Sequence, residues 1–494
     1  MEDRMKILMA SPEMVPFAKT GGLADVVGAL PFALEKLDCQ IKMILPYYLM
    51  VEQAKPAVTC LFEEIPIDIG NEKFTGNILS LQVTENIEVC FVQQHQFYYR
   101  EGLYGTPEGD FPDNLKRFIF FSKMVLKFCE LSNYQPDILH CHDWQTGLIP
   151  VYMRTIPREK AFFEKTPAIF TIHNVAYQGL FEARYFGLTG LPESVFSLPG
   201  IEYWGKMNLL KAGINFSDHI TTVSPKYSQE IQTPEFGYGM EGVLQERAHR
   251  LHGILNGVDY SVWDPAVDPL IKANYSPKKM AGKANCKLDL LNEFNLPGEL
   301  ATKPLIGIIS RLVTQKGFDL LAQILDNLMA RDLGMVVLGT GEQKYQDLFR
   351  EMAQRFPEKI GLRLAYNDPL AHKIEAGSDI FLMPSRYEPC GLNQIYSLKY
   401  GTIPVVHATG GLEDTIQLFN PATGAGNGYK FYHYSPWSFL ETLDAALNLY
   451  QNPEKWRQIV QNAMQADFSW DRSAVAYKQL FELALRSEGN RGRI

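Results

Sequence analysis

Short continuous apolar runs alternate with stretches carrying apolar residues every third or fourth position, and the alternation occurs twice along the chain. In the first half the runs are residues 6–10, 41–45, 137–142, 168–173 and 219–223, with helical patterning at 23–37, 115–131 and 208–216. A run apolar at every position is buried on both faces. When helices separate such runs, the expected solution is a parallel sheet covered on both sides. Pro31 falls inside the first helical stripe and is expected to kink it. Residues 64–109 are less regular, with short β-like runs and a loop rich in aromatics and glycine. The pattern weakens at 253–304 into Asp, Pro, Asn and Lys, which suggests a crossover between domains. It resumes with strands at 305–309, 335–338, 361–364, 380–383 and 403–406 and helices at 318–329, 371–376 and after Gly391. Helices at 435–450, 453–466 and 472–485 close the chain.

At 494 residues the chain exceeds what one core organises. Its net charge of −9, without a basic block, argues against a nucleic-acid or anionic-membrane partner. The apolar run 7–10 before Pro12 is too short for a signal-peptide core, and no run approaches the roughly 18 apolar residues of a membrane span. The seven cysteines are scattered, with no Cys-x-x-Cys pair, so neither a disulfide framework nor a structural zinc site is indicated. A cytoplasmic location is expected.

Residues 380–401 concentrate the chemistry of the second half. An apolar strand passes through a polar turn containing Glu388 and Cys390, then opens at Gly391-Leu392-Asn393 into a helix that stops at Gly401. A helix that begins at such a turn leaves backbone N–H groups suited to an anion. Arg311 ends the strand 305–309, and Lys316-Gly317 follows before a helix. A guanidinium fork and an ammonium at one strand end suit a pyrophosphate. Thr-Gly-Gly-Leu-x-Asp occurs twice, at 20–25 and 409–414. The loop Lys19-Thr20-Gly21-Gly22 matches neither G-x-G-x-x-G nor a Walker loop, so an NAD-dependent oxidoreductase is disfavoured. That loop suits a phosphate or sugar hydroxyls held near the backbone, or it is a structural turn. His140 and His142 share one strand face next to Asp143. A metal site there lacks further ligands, and ordinary hydrogen bonding at a sheet edge is favoured. His173-Asn174 with Tyr177-Gln178-Gly179 forms a polar cluster suited to sugar hydroxyls.

Together these segments resemble the bacterial glycogen synthases and plant starch synthases, glycosyltransferase family 5. The series runs Lys19-Thr-Gly-Gly-Leu23, His140-Cys-His-Asp-Trp144, Phe170-Thr-Ile-His-Asn174, Lys211-Ala-Gly213, Tyr238-Gly-Met-Glu-Gly242, Ser310-Arg-Leu312, Glu388-Pro-Cys-Gly-Leu392 and Thr409-Gly-Gly-Leu412. The resemblance implies a GT-B architecture, two facing Rossmann-like doubly wound α/β domains with a cleft between them. Their expected extents are 1–255 (acceptor side) and 256–471 (nucleotide sugar), with a C-terminal helix, 472–494, packing back on the first.

The resemblance also implies roles. Arg311 and Lys316 clamp the diphosphate of the leaving ADP. Glu388, Cys390, Gly391 and Leu392 form the sugar- and phosphate-facing turn, with Asn393 where threonine is common in the family. Lys19, Gly21 and Gly22 contact the sugar nucleotide. His173, Asp143 and Asn208 meet the transferred glucose, Asn174 next to His173 is among the substrate-binding residues, Tyr366 packs on the base, and Asp25 and Tyr104 lie towards the acceptor. His407 stands where arginine is common, which bears on fine nucleotide contacts. The expected reaction is transfer of glucose from ADP-glucose to the non-reducing 4-OH of an α-1,4-glucan such as glycogen, with retention. No cofactor or metal is expected. UDP-glucose is the alternative donor, and a non-catalytic glucan-binding scaffold the alternative function.

Overall fold

The structure, a computed structural model, describes residues 4–106 and 108–491. The chain divides into two compact α/β units, Met1–Gly257 with Trp470–Ile494, and Val258–Ser469.

The first unit is built on a nine-stranded sheet. From one edge its strands are Leu251–Gly253, His219–Thr222, Ala168–Ile172, Ile138–His142, Met5–Ala10, Cys39–Pro46, Ile87–Gln93, Glu72–Gln82 and Thr59–Ile69. The first seven pair in parallel. The last two form an antiparallel hairpin on that edge, which corrects the expectation of a wholly parallel sheet. The reason is visible in burial: of the strand Thr59–Ile69 only Ile65, Ile67 and Ile69 are buried, the alternation of a sheet with one face in water. At the centre, Ile138–His142 and Ala168–Ile172 are buried at every residue. His140 and His142 therefore sit inside the sheet and not at its edge.

Two helices fix what lies above the carboxyl ends of these strands. Gly22–Glu35 runs through Pro31 as one helix and buries Leu23, Val26, Val27, Leu30 and Leu34. Leu209–Phe216 starts at Asn208, whose side-chain oxygen accepts the Lys211 amide at 2.9 Å. It lies flat on the sheet because Gly213 has no side chain: a Cβ there would stand 2.3 Å from the Phe170 ring. The last helix, Trp470–Arg491, buries Tyr477 and Phe481, whose rings lie 5.7 and 5.6 Å from that of His140.

The second unit has a six-stranded, wholly parallel sheet in the order Ile360–Arg363, Gly334–Leu338, Leu305–Ile309, Ile380–Met383, Ile403–His407, Tyr429–Phe431. Residues 253–304 are more than a crossover, since they contain the helix Ala281–Glu293, which buries Cys286, Leu290 and Leu291. Ahead of that helix the irregular chain is held by Trp263, stacked between His372 (centroids 3.7 Å apart) and Tyr396 (3.9 Å). The buried Asp268 accepts His372 Nδ1 at 2.8 Å and the Tyr400 hydroxyl at 2.5 Å. Among the described residues no helix is long and apolar enough to cross a membrane.

The close approach at Gly213 yields a test with a decided sign. In an open helix, Gly→Ala stabilises by up to about 1 kcal/mol. Here Gly213→Ala is expected to destabilise by about 1–3 kcal/mol, because the methyl group overpacks against Phe170. The midpoint of urea denaturation checks this.

Candidate active site

In the second unit the strands Leu305–Ile309, Ile380–Met383 and Ile403–His407 are neighbours, and the loops leaving their carboxyl ends touch backbone to backbone. Gly317 has φ +79°, and a Cβ on it would stand 1.9 Å from the Pro384 carbonyl oxygen. Gly410 has φ +45°, and its Cβ would meet the Glu388 carbonyl oxygen at 1.9 Å. Only glycine allows both the left-handed backbone and the contact. The Gly411 amide donates to the Glu388 carbonyl at 3.2 Å, and His407 Nδ1 donates to the Ser385 carbonyl at 2.8 Å. His407, at the position where arginine is common in the resembling family, thus braces the Glu388 turn through the Ser385 carbonyl.

On this scaffold Lys316 Nζ lies 2.5 Å from Oε2 of Glu388, and the Ser385 hydroxyl donates to the same oxygen at 3.1 Å. Among the described residues Oε1 of Glu388 takes no hydrogen bond. The carboxylate is buried, its side chain 8% exposed, and the ammonium is mostly so. Arg311 is exposed and makes no side-chain hydrogen bond among the described residues. With Lys316 and Glu388 cancelling, its guanidinium is the surplus charge, and the loop around it is held by the Thr314 amide donating to Glu342 at 2.9 Å. Leu392 is the N-cap of the helix Asn393–Tyr400, and Asn393 Nδ2 donates to the Ile309 carbonyl at 2.9 Å. Cys390 is buried in the turn before Gly391, and its carbonyl accepts from Gln394 at 3.0 Å. Tyr366, 81% exposed, follows the edge strand Ile360–Arg363. This arrangement can hold a diphosphate: a fixed ammonium, a free guanidinium fork and a helix start.

In the first unit the carboxyl ends of Met5–Ala10, Ile138–His142 and Ala168–Ile172 lie side by side. The buried Glu13 carboxylate accepts the Thr20 amide (2.6 Å), the Thr20 hydroxyl (2.6 Å), the Gly21 amide (3.3 Å) and the Tyr104 hydroxyl (2.7 Å). It therefore fixes the loop at the start of the helix Gly22–Glu35. Lys19 pairs with Asp25 at 2.7 Å, both partly exposed. Asp143 has φ +58° and accepts the His173 amide at 2.8 Å. His173 Nε2 lies 3.0 Å from His142 Nδ1, the His142 and His140 rings lie 4.1 Å apart and tilted, and His140 Nε2 reaches the Thr171 hydroxyl at 2.7 Å. Asn208 Nδ2 donates to Gln178 at 2.8 Å, and Asn174 Oδ1 accepts the Ala176 amide at 3.0 Å.

Burial sets the protonation of this cluster. It lowers His173 to about 3, and it lowers His140 to about 3 with help from the charge of His173. It also pushes His142 well down. The three imidazoles are neutral at pH 7, and His142 and His173 share a hydrogen bond without charge. Burial raises the Asp143 carboxyl to about 8; the His173 amide opposes this and the Glu13 charge assists it.

The structure thus groups Lys19, Gly21, Gly22, Asp25, Tyr104, Asp143, His173, Asn174 and Asn208 on one unit. Arg311, Lys316, Tyr366, Glu388, Cys390, Gly391, Leu392 and Asn393 fall on the other. Two supporting groups had escaped the sequence: Glu13 and Glu342. Each is an ordinary polar residue whose role appears only when its partner is folded beside it.

Two α/β units with phosphate-suited and sugar-suited groups at the carboxyl ends of their strands define a GT-B glycosyltransferase. Residues 6–246 match the starch synthase catalytic domain and residues 292–464 the glycosyl transferases group 1 domain. The glycogen synthase of Koribacter versatilis (strain Ellin345) is 46% identical over 481 residues, covering 97% of this chain and 98% of that protein. Glycogen synthase 2 of Geobacter sulfurreducens is 43% identical, covering 97% and 99%. The catalytic domain of starch synthase IV from Arabidopsis thaliana, solved bound to ADP and acarbose, superposes with a TM-score of 0.89 at 32% identity, covering 98% of this chain and all of that one. The chain belongs to the glycogen and starch synthase family.

The raised Asp143 carboxyl carries a linkage signature. An acid whose pKa is higher folded than unfolded binds more protons in the folded state, so stability falls as pH rises between the ordinary value and about 8. Asp143→Asn keeps the acceptor for the His173 amide and removes the titration. The variant is expected to gain stability over the native chain as pH rises from 4 to 8, by at most about 1.4 kcal/mol per pH unit. Paired thermal melts across that range read the gap, which is expected to level off above pH 8.

Proposed function

We propose that this glucosyltransferase takes glucose from ADP-glucose and adds it to the non-reducing 4-OH of an α-1,4-glucan with retention, releasing ADP. The observation that carries this is the unpaired Arg311 guanidinium beside the Lys316–Glu388 pair at the strand ends of the second unit. The ADP in the Arabidopsis relative favours an adenine diphosphate donor.

As the bond from the anomeric carbon to the β-phosphate breaks, charge grows on the phosphate oxygens. Arg311 offers a bidentate fork. Lys316 spends one N–H on Glu388 and keeps the others for phosphate. Because Glu388 holds the ammonium in place before the donor arrives, little reorganisation remains for the reaction itself. The unbonded Oε1 of Glu388 is free to accept a sugar hydroxyl or to face positive charge at the anomeric carbon. Its other oxygen is tied to Lys316 and Ser385, which disfavours Glu388 as a covalent nucleophile. We therefore favour displacement on one face: the acceptor 4-oxygen bonds the anomeric carbon as the phosphate leaves, and the acceptor proton passes to the departing phosphate oxygen. His173 serves as a neutral hydrogen-bonding partner for the glucose, and the protonated Asp143 keeps the His173 amide in position. Tyr366 supplies an exposed ring for the base, and Lys19, Gly21 and Gly22 supply polar contacts to the sugar nucleotide, whereas the fully buried Asn208 spends its side chain on the Lys211 amide and Gln178 and acts on the site only through that framework.

Incubation with ADP-glucose and glycogen is expected to release ADP, and faster than UDP-glucose releases UDP. No nucleotide release from either donor contradicts the proposal. Arg311→Ala is expected to lower turnover by about 10²–10³-fold, the usual cost of removing a group that stabilises transition-state charge. A near-native rate would remove Arg311 from the site.

A further inference from the structure

A cavity of about 380 Å³ opens on the first unit at the amino ends of the strands Ala168–Ile172 and His219–Thr222, the opposite end of the sheet from Asp143 and His173. Arg154, Arg247 and Arg250 line it, with the exposed His249 among the lining residues. The acid lining it, Asp218, pairs within the cluster: one carboxylate oxygen accepts Arg154 Nη2 at 2.6 Å and the Ala168 amide at 2.8 Å. With Arg154 and Asp218 cancelling, Arg247 and Arg250 leave the lining net positive.

Structural duty accounts for only part of this cluster. Arg247 donates to the Asn215 carbonyl at 2.8 Å and the Ser217 carbonyl at 2.6 Å, which closes the C-terminal end of the helix Leu209–Phe216. Arg250 has no such task. It makes one bond, 3.2 Å to the Asp218 carbonyl, and the rest of its fork is unbonded among the described residues. Arg154 bonds through Nη2 alone. Ser217 lines the cavity with its hydroxyl closed to solvent and without a partner among the described residues. Two histidines report the local potential. His219 Nδ1 lies 3.0 Å from His252 Nε2. Burial, then His252, Arg250 and Arg247, lower His219 to about 4 against the opposing charge of Asp218. Burial and Arg250 also lower His252.

We propose that this cavity is an anion site that takes a dianionic phosphate group, free or as the monoester of a small metabolite. Guanidinium forks match pairs of phosphate oxygens, and the unbonded part of the Arg250 fork is available to one. The volume suits a small molecule. The site lies away from the groups assigned to the glucosyl transfer and stands independently of that assignment.

The imidazole signals of His219 and His252, assigned with His219→Gln and His252→Gln, are followed while inorganic phosphate is added at constant ionic strength. Both histidines are expected to titrate at higher pH when phosphate saturates, because a bound phosphate anion offsets Arg250. Arg250→Gln is expected to weaken binding by about tenfold or more, and Arg250→Lys to recover part of it. Arg311→Ala is expected to leave the shifts unchanged. A parallel titration with glucose 1-phosphate separates the sources: tighter binding of the ester assigns a sugar phosphate, and tighter binding of inorganic phosphate assigns the free anion. Unmoved histidines in the native chain overturn the proposal, as does undiminished binding in Arg250→Gln. Loss of the shifts in Arg311→Ala would also overturn it, since it would place the phosphate at the second unit.

Discussion

The Lys316–Glu388 ion pair is the contact around which the candidate site of the second unit is arranged. Its partners come from loops that leave two adjacent strands, and a third loop supports them through Gly410 and Gly411. A mostly buried pair of this kind adds little to stability, because desolvating two charges cancels much of their attraction. Losing one partner is costly, because the other is left buried and alone. What the pair provides is placement. The ammonium is held at one point and neutralised, so the exposed Arg311 beside it sets the sign of the local field. Serine, glycine and histidine around the turn serve the same end: Ser385 bonds the carboxylate, Gly317 and Gly410 allow the loops to meet, and His407 holds the Ser385 carbonyl.

The two units contribute different chemistry. In the second, charge is fixed and directed. In the first, burial removes charge: the three histidines are neutral, Asp143 titrates near 8, and the Glu13 carboxylate is consumed by the loop Thr20-Gly21 and by Tyr104. Neutral donors and acceptors recognise sugar hydroxyls, while fixed cations recognise phosphate. A glucosyltransferase that uses a nucleotide sugar needs both.

Much of the fold was legible in the sequence, for one reason. Strands buried on both faces are apolar at every position, so Ala168–Ile172 and Ile380–Met383 stand out without any structural knowledge. The hairpin Thr59–Gln82 did not, because one of its faces is in water and Glu63, Glu64 and Asp68 interrupt its pattern. The helix Gln343–Arg355 shows no broad apolar stripe, since it buries only Tyr345, Phe349 and Met352 among charged neighbours. Ala281–Glu293 was hidden by the prolines that precede it. At the site, Glu388 was visible from its distance to Gly391 and Arg311 from its place at a strand end. Their supporting contacts were not. The Lys316–Glu388 bond joins residues 72 apart, and Glu13 acts through a fold-back that no local pattern encodes.

The most direct test is a double-mutant cycle on kcat/KM with ADP-glucose and glycogen, using Lys316→Ala, Glu388→Ala and the double variant. If the pair works as one unit, each single change causes most of the loss and the double variant falls little further. The account predicts this strong non-additivity. Losses that multiply independently would contradict it, showing that the two side chains act apart.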